Sequence, residues 1–351
     1  MTLTSCHLWG DSSHLRLGVS GVGEKRYLFI RQHRRGRYIF GIRSLKLNIN
    51  RTLLPIKHCS KVEMQFGDET QAQSAQRMYN ARAVNYEDSW HPAYTTRFTS
   101  QLSIAPGDKI LDLCCGTGLN VFAAAEKAGP NGSVIGVDVS HGMLAQARQK
   151  QADKPALGQR CRLLEGDVTR LEDAFASADL GAQHGLFDWI TCSNAFVLLD
   201  DPSTVLAHWG TFLKPDGRMA IDIPHEHNHR AATILERVAQ RIGVNLPFNR
   251  SWVKSSQSFV ELATAEGFEV EKYEVLEQVM RETSTYYSID QADEKFDYVL
   301  NGALATDIAT EDFKKRARPL FHQEWAQCAV DGKIEVGDSI YLYVIRRARD
   351  S

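Results

Sequence analysis

Two glycines and two acids stand close together at a point where the chain could bind a nucleoside. An apolar run from Lys109 to Leu113 leads into a turn that holds Gly116 and Gly118. Glycine has no Cβ, so such a turn bends sharply and lets the backbone approach a ligand. Asp138 follows Gly118 by 20 residues, the separation typical of a carboxylate that binds ribose hydroxyls. The spacing predicts a nucleoside-containing ligand; a glycine-rich turn without a ligand is the alternative.

The charge beside this turn indicates which nucleoside compound fits. A dinucleotide fingerprint needs a third glycine, where this chain has Val121, and Asp112 at the strand end would repel a pyrophosphate. S-adenosylmethionine (SAM) has no phosphate, and its methionine end carries an ammonium and a sulfonium. A carboxylate attracts both cations. These residues therefore favour SAM over NAD.

A second group of titratable residues follows the fifth strand of the predicted core. The loop after Ile223 contains His225, His227 and His229 at alternate positions. His225 or His227 is the candidate catalytic group, since a neutral imidazole can serve as a general base. Alternating histidines could instead bind a metal or simply be solvated and hydrogen-bonded. We predict no metal.

The elements that position these residues alternate between strands and helices. Most of the predicted strands are separated by helix-length segments such as Leu119–Ala128, which implies right-handed crossovers and a parallel sheet covered on both faces. Ser140 is the predicted N-cap of the helix after the second strand, and residues 214–217 form a predicted turn. The seven predicted strands are Lys109–Leu113, Ser133–Asp138, Arg162–Glu165, Phe187–Cys192, Arg218–Ile223, Glu269–Met280 and Ser339–Arg346. The last two strands are expected to pair antiparallel at one edge. The predicted fold is therefore α/β and Rossmann-like. A helical lid at 72–102 and an inserted helical cover at 281–335 complete it.

The N-terminal segment differs from the rest in charge. Residues 1–62 contain 12 Lys and Arg against two acids, a net charge of +10, so the remaining chain carries −12. We define residues 1–63 as the basic leader and expect it to be disordered or outside the fold, with one domain at 64–351 that could begin at Met64. A transit segment, a basic tail and upstream sequence wrongly joined to the gene are the alternatives.

Composition bounds the class of protein. Hydrophobic residues make up 43% and charged residues 24%, as in ordinary globular proteins, and no apolar run approaches the ~20 residues of a membrane span. The seven cysteines, with Cys114 next to Cys115, favour a reducing compartment. We expect a cytoplasmic protein, or a mitochondrial one if the leader is a transit segment. The acidic domain disfavours a nucleic-acid partner.

Five ordered motifs over residues 72–280 resemble class I SAM-dependent methyltransferases, most closely the UbiE-like enzymes and their small-molecule relatives. The motifs are Ile110–Gly118, Val137–Leu144, Glu165–Val168, Phe187–Ala195 and Leu213–Arg218. Two positions depart from the family pattern: Cys114 replaces a glycine, and Asp216 replaces the first glycine of the usual Lys-Pro-Gly-Gly turn. Neither change removes a ligand group.

The resemblance implies a role for each matching residue. Asp112 would serve the methionine moiety, Asp138 the ribose hydroxyls, Asp167 the adenine amino group and Asn194 the region of the transferred methyl. Asp167 could instead cap a turn. The full set of implied cofactor residues is Asp112, Gly116, Thr117, Gly118, Asp138, Val139, Met143, Asp167, Val168 and Asn194, with Tyr79 and Tyr86 in a lid over the cofactor.

Together these observations predict methyl transfer from SAM to a small organic molecule, a secondary metabolite or quinone-like acceptor. A nucleic-acid methyltransferase is disfavoured, because the loop after the fourth strand reads Asn194-Ala195-Phe196-Val197 rather than Asn/Asp-Pro-Pro-aromatic. A non-catalytic SAM-binding regulatory subunit stays open. Phe321 and Trp325, which stand at helical spacing in the cover, are expected to pack rather than line a ligand.

Overall fold

The computed structural model describes four strands within residues 5–44 and then residues 70–244, 246, 250–280, 285–302 and 309–348. The chain divides into two units, residues 1–64 and 65–351. In the first unit, which we expect to be disordered or outside the fold, the strands form one antiparallel sheet in sequential order: β1 (Ser5–Trp9), β2 (His14–Gly21), β3 (Glu24–Gln32) and β4 (Tyr38–Ser44). The predicted start at Met64 lies outside the described residues, and the place of the leader in the protein stays a prediction.

The second unit contains a central seven-stranded sheet and a separate pair of strands. The strands in chain order are β5 (Lys109–Leu113), β6 (Ser133–Asp138), β7 (Cys161–Glu165), β8 (Phe187–Cys192), β9 (Leu213–Pro224), β10 (Phe268–Glu277), β11 (Thr285–Ser288), β12 (Lys333–Val336) and β13 (Ser339–Arg347). The large sheet has the order β10-β13-β9-β8-β5-β6-β7, and β11 pairs with β12. Strands β5 to β9 run parallel, and β13 is antiparallel to both β9 and β10. The predicted Rossmann-like fold is confirmed.

Helices connect the strands and cover the sheet. They are α1 (Gln71–Arg82), α2 (His91–Ser100), α3 (Leu119–Ala128), α4 (His141–Asp153), α5 (Pro155–Gly158), α6 (Leu171–Ser177), α7 (Pro202–Gly210), α8 (Arg230–Arg241), α9 (Gln257–Ala265), α10 (Ala292–Leu300) and α11 (Glu311–Gln327). Short 3-10 turns lie at Ala83–Asn85, Phe196–Leu198 and Ile289–Gln291.

The alternation of side chains along each strand creates two cores, one on each face of the sheet. In β5, Ile110 packs with helices α2 and α3 on one face, in a cluster that includes Phe98 and Phe122. Its neighbour Leu111 packs on the other face, in a cluster that includes Phe175 and Trp209. Because both faces are covered, the parallel strands are apolar almost throughout, and any polar side chain on them needs a specific reason.

A third core supports the cover near the C-terminus. Helices α8, α10 and α11 pack together around Leu235, Phe296, Phe321 and Trp325. Phe321 and Trp325 are both fully buried, so the prediction that they serve packing is confirmed. Helix α8 belongs to this core although it precedes the predicted cover in sequence.

Candidate functional site

The turn after β5 takes the conformation that its glycines allow. Gly116 and Gly118 have φ angles of 55° and 80°, in the left-handed region that favours glycine, and Gly118 precedes the first residue of α3. A Cβ on Gly116 would come within 3.1 Å of the Met143 side chain. Cys114, which replaces a family glycine, also has a positive φ of 54°. The backbone here is shaped to leave room at the end of β5.

Asp138 at the end of β6 holds this turn and the following helix. Its Oδ2 accepts the backbone N–H of Gly116 at 2.8 Å, and its Oδ1 accepts that of Ser140 at 2.8 Å. Ser140 in turn caps α4 by accepting from the N–H of Met143. Burial raises the pKa of Asp138 to about 6 although both hydrogen bonds lower it. Each carboxylate oxygen has capacity for a further donor, such as a ribose hydroxyl.

Asp112 is a buried carboxylate with an unused oxygen. Its Oδ1 accepts from the Thr191 hydroxyl at 2.6 Å, whereas Oδ2 has no hydrogen-bond partner among the described residues. The hydroxyl of Thr117 is likewise buried and without a partner there. Burial raises the pKa of Asp112 to about 7. Orphaned polar atoms in a core cost free energy, and a bound cation would relieve this one, so the residues present fit the ammonium and sulfonium of SAM.

A cavity of about 1070 Å³ opens over the ends of strands β5 to β8. Nine of the twelve predicted cofactor residues line it: Tyr79, Tyr86, Gly116, Asp138, Val139, Met143, Asp167, Val168 and Asn194. Asp112, Thr117 and Gly118 are not among its lining residues, and the two polar side chains are buried. Small-molecule sites typically measure ~300–1,000 Å³, so this volume can accommodate a ligand as large as SAM.

Asp167 closes a turn and also lines the cavity. Its Oδ1 accepts from the backbone N–H and the hydroxyl of Thr169, at 2.9 and 2.7 Å, which closes a turn at the end of β7. The residue nevertheless lines the cavity beside Val168. The Val168 carbonyl accepts from the Trp209 indole at 2.9 Å, which fixes this loop against α7. Its role toward adenine stays a prediction.

Helix α1 covers the cavity and is hydrogen-bonded to the segment that follows β6. Asn80 Oδ1 accepts from the Ser140 hydroxyl and the backbone N–H of Gly142, both at 2.8 Å, and Gln76 donates to the Val139 carbonyl at 3.0 Å. Sequence reasoning selected the aromatic residues of this segment and missed Asn80. Burial raises the pKa of Tyr79, so its hydroxyl stays protonated and can act as a donor. The lid is thus docked directly on the loop that follows β6.

The histidine loop, which follows β9 and holds His225 and His227, is separate from the lining of the cavity. Neither His225 nor His227 lines the cavity. His225 stacks near Tyr341, with ring centroids 4.7 Å apart, and its Nδ1 lies 3.5 Å from Glu226 and accepts from the His227 N–H at 3.1 Å. Nδ1 of His227 lies 3.6 Å from Glu335. Burial lowers the pKa of both rings, so they are neutral near pH 7.

In the described part of the chain, no group of three or more His, Cys, Asp and Glu side chains is arranged to hold a metal ion. Over the same residues, no helix has the length and apolar character that a membrane crossing requires.

Known proteins similar to this chain carry methyltransferase domains. Residues 104–261 match the family described as "Methyltransferase domain". The nocamycin O-methyltransferase of Saccharothrix syringae is 33% identical over 34% of this chain and 39% of its own length. The demethylmenaquinone methyltransferase of Lactobacillus johnsonii is 32% identical over 41% of this chain and 54% of its own length. The corresponding enzyme of Lactococcus lactis is 26% identical over 69% and 91%.

Two solved structures align with most of this chain. The cyclase SpnF superposes with a TM-score of 0.48 at 16% identity, over 80% of this chain and 98% of its own. An arsenic(III) S-adenosylmethionine methyltransferase from Chlamydomonas reinhardtii gives a TM-score of 0.41 at 17% identity, over 71% and 65%.

The sheet order, the glycine turn with its two carboxylates and the matched domain make this chain similar to the class I SAM-dependent methyltransferases. SAM is the cofactor of this class. The chain spans about half the length of the first two curated relatives it matches.

Proposed function

We propose that this protein transfers the methyl group of SAM to a small organic molecule, giving S-adenosylhomocysteine. The observation that carries the proposal is a cavity lined by Gly116 and Asp138, with the buried carboxylate of Asp112 two residues from the cavity-lining Cys114. Asp112 would hold the methionine end and Asp138 the ribose. Val139, Met143, Asp167 and Val168 would form the adenine side, because they line the cavity where β6 leads into α4 and where β7 ends.

SAM supplies an electrophilic methyl group on a sulfonium, so the protein contributes mainly alignment and exclusion of water. Helix α1 covers the cavity and is hydrogen-bonded to the loop after β6. Tyr79 and Tyr86 line the cavity from the lid, and burial raises the pKa of both. These phenols would act as hydrogen-bond donors rather than bases. Asn194 would lie near the transferred methyl.

A small acceptor is supported by charge and by the relatives. Residues 63–351 carry a net charge of −12, which opposes binding of a polyanion. The two most identical relatives given above are named for a nocamycin and for demethylmenaquinone, both small molecules. A secondary metabolite or a quinone-like compound is therefore the acceptor class that we propose.

A general base is a separate hypothesis. The lowered pKa of His225 and His227 leaves both rings able to accept a proton at neutral pH, but neither ring reaches the cavity. A base is required only when the acceptor must lose a proton. The role of these histidines stays a prediction, and kinetics of the two alanine variants test it.

The test of the proposed function is comparison of the metabolites of cells with and without the gene. Cells that lack it should accumulate a compound about 14 mass units lighter than the missing product, one CH₂, and the purified full chain should convert that compound with SAM. SAM binding without turnover on any compound found in this way would contradict the proposal and favour the regulatory subunit.

A further inference from the structure

A buried carboxylate on β9 lies beside the cavity and was not selected from the sequence. Asp222 is 1% exposed, and three donors converge on it. The hydroxyls of Tyr94 and Ser193 donate to Oδ2 at 2.5 and 2.9 Å, and the backbone N–H of Asn194 donates to Oδ1 at 2.7 Å. Three donors compensate a carboxylate for the loss of water.

The three donors come from two separate elements. Ser193 and Asn194 belong to the loop after β8 and line the cavity, whereas Tyr94 belongs to α2 in the lid segment. Tyr94 is itself 1% exposed, and its ring contacts Trp90 and Phe98, with centroids 5.5 and 6.3 Å away. Asp222 therefore connects the lid segment to the loop that borders the proposed methyl-transfer region.

Asn194 has a backbone conformation that needs support. Its φ is 59°, in the left-handed region, which is unfavourable for residues other than glycine although asparagine tolerates it best. The bond from its N–H to Asp222 fixes the peptide on one side, and its Nδ2 donates to the Ser193 hydroxyl at 3.3 Å. These contacts hold the Asn194 side chain at the cavity wall.

We propose that Asp222 is a positioning residue for the methionine end of SAM, acting through Asn194 and coupled to the lid through Tyr94. The proposal rests on the proposed site. It goes beyond that site because Asp222 does not line the cavity and lies 28 residues from Asn194 and 128 from Tyr94 in sequence.

The first experiment measures SAM affinity of the full chain by calorimetry in Asp222→Asn, Asn194→Ala and the double variant. An amide keeps the volume but loses the charge and one acceptor, so SAM affinity should fall roughly 10-fold, the effect expected for a charge-assisted hydrogen bond. Asn194→Ala should cost a similar factor. Because Asp222 acts through Asn194, the double variant should bind about as well as Asn194→Ala alone. Multiplying losses would mean that Asp222 acts independently and would overturn the proposal.

A matched control separates positioning from general stability. Asp338 is also a buried aspartate (3% exposed) that accepts a backbone N–H, from Met280 at 2.8 Å, and it is not among the cavity-lining residues. Asp338→Asn should lower the melting temperature by an amount similar to Asp222→Asn while SAM affinity stays within about twofold of wild type, since no cavity contact changes. An equal loss of SAM affinity in both variants would show a purely structural role and refute the proposal.

A milder variant covers the case in which Asp222→Asn does not fold. Tyr94→Phe removes one donor and leaves the ring packing in place, so it should weaken SAM binding about threefold; unchanged affinity in this variant would contradict the coupling to the lid. A wild-type chain that does not bind SAM would overturn the site itself. Wild-type binding together with normal binding by a folded Asp222→Asn would overturn only the positioning role.

Discussion

Titratable side chains cluster at two places near the carboxyl ends of the parallel strands, and the surroundings of the two clusters differ. At the ends of β5 and β6, Asp138 lines a cavity and Asp112 is buried two residues from the cavity-lining Cys114, and one oxygen of Asp112 has no partner among the described residues. In the loop after β9, His225 and His227 contact Glu226, Glu335 and Tyr341 and do not line that cavity. In the first group one carboxylate oxygen has unused hydrogen-bonding capacity, whereas in the second group both rings contact neighbouring side chains. Strand-end position alone therefore does not identify a ligand site; unmet hydrogen-bonding capacity next to space does.

The largest effect should come from removing the ribose carboxylate. Asp138→Ala should weaken SAM binding by about 1.5–3 kcal/mol, because charge-assisted hydrogen bonds are lost. Calorimetry measures this directly. Asp188→Ala is the control: this aspartate also accepts a backbone N–H, from Lys109 at 2.8 Å, but lies near the opposite end of its strand. Equal SAM affinity of the two variants would contradict a specific role for the carboxylate at the end of β6.

The pH dependence of SAM binding should report on Asp112. The pKa of this carboxyl in the free chain is about 7, raised by burial. A bound cation favours the ionised form, so binding releases a proton and affinity rises as pH increases through 7. Between pH 8 and pH 6 the dissociation constant should grow about 10-fold, the linkage expected for one group. Asp112→Asn should bind more weakly and show a flatter profile down to about pH 6.5, below which Asp138, with a pKa of about 6, contributes. A wild-type profile that is flat from pH 8 to 6 would exclude Asp112 as the counter-ion.

Replacing His225 or His227 should change the activity less than replacing the aspartates changes SAM binding. If the rings serve only their local contacts, His225→Ala and His227→Ala should keep kcat within a few-fold of wild type at saturating SAM. Loss of kcat by roughly 10²–10⁴ with intact SAM affinity would instead establish a general base. It would contradict the view that these rings serve only their local contacts. The loss should then shrink for acceptors that are already deprotonated at the assay pH.

The smallest effect is expected for the basic leader. A chain that begins at Met64 should match the full chain in melting temperature and SAM affinity, if residues 1–63 lie outside the fold. Thermal unfolding and calorimetry on both forms measure this. A substantial drop in either quantity would show that the leader stabilises the domain, and the boundary would need to be moved.

Much of the fold and of the cofactor site follows from local sequence patterns. The predicted bounds of Lys109–Leu113, Leu119–Ala128, Ser133–Asp138 and Phe187–Cys192 coincide with β5, α3, β6 and β8, because each is an apolar run ended by Gly, Asp or a polar loop. Ser140 was predicted to cap α4 and does so. Cofactor residues could be selected because they follow these strands directly.

Other features depend on contacts between distant segments. The predicted strand Arg218–Ile223 extends to Leu213–Pro224 in β9, since the expected turn at 214–217 is part of the strand. Helix α8 was not predicted, although its apolar face joins the core of the cover. Asp222 could not be linked to Tyr94 from sequence, because no local pattern pairs residues 128 positions apart. Four strands lie within residues 5–44 of the leader, where the sequence shows only short isolated apolar runs.

A structure of the full chain with S-adenosylhomocysteine would show directly where the cofactor binds. We expect the ligand to lie over the ends of β5 to β8, with the Asp138 carboxylate within hydrogen-bond distance of both ribose hydroxyls and the amino group next to Oδ2 of Asp112. A ligand bound elsewhere, or one in this cavity whose ribose and amino group contact neither aspartate, would contradict it.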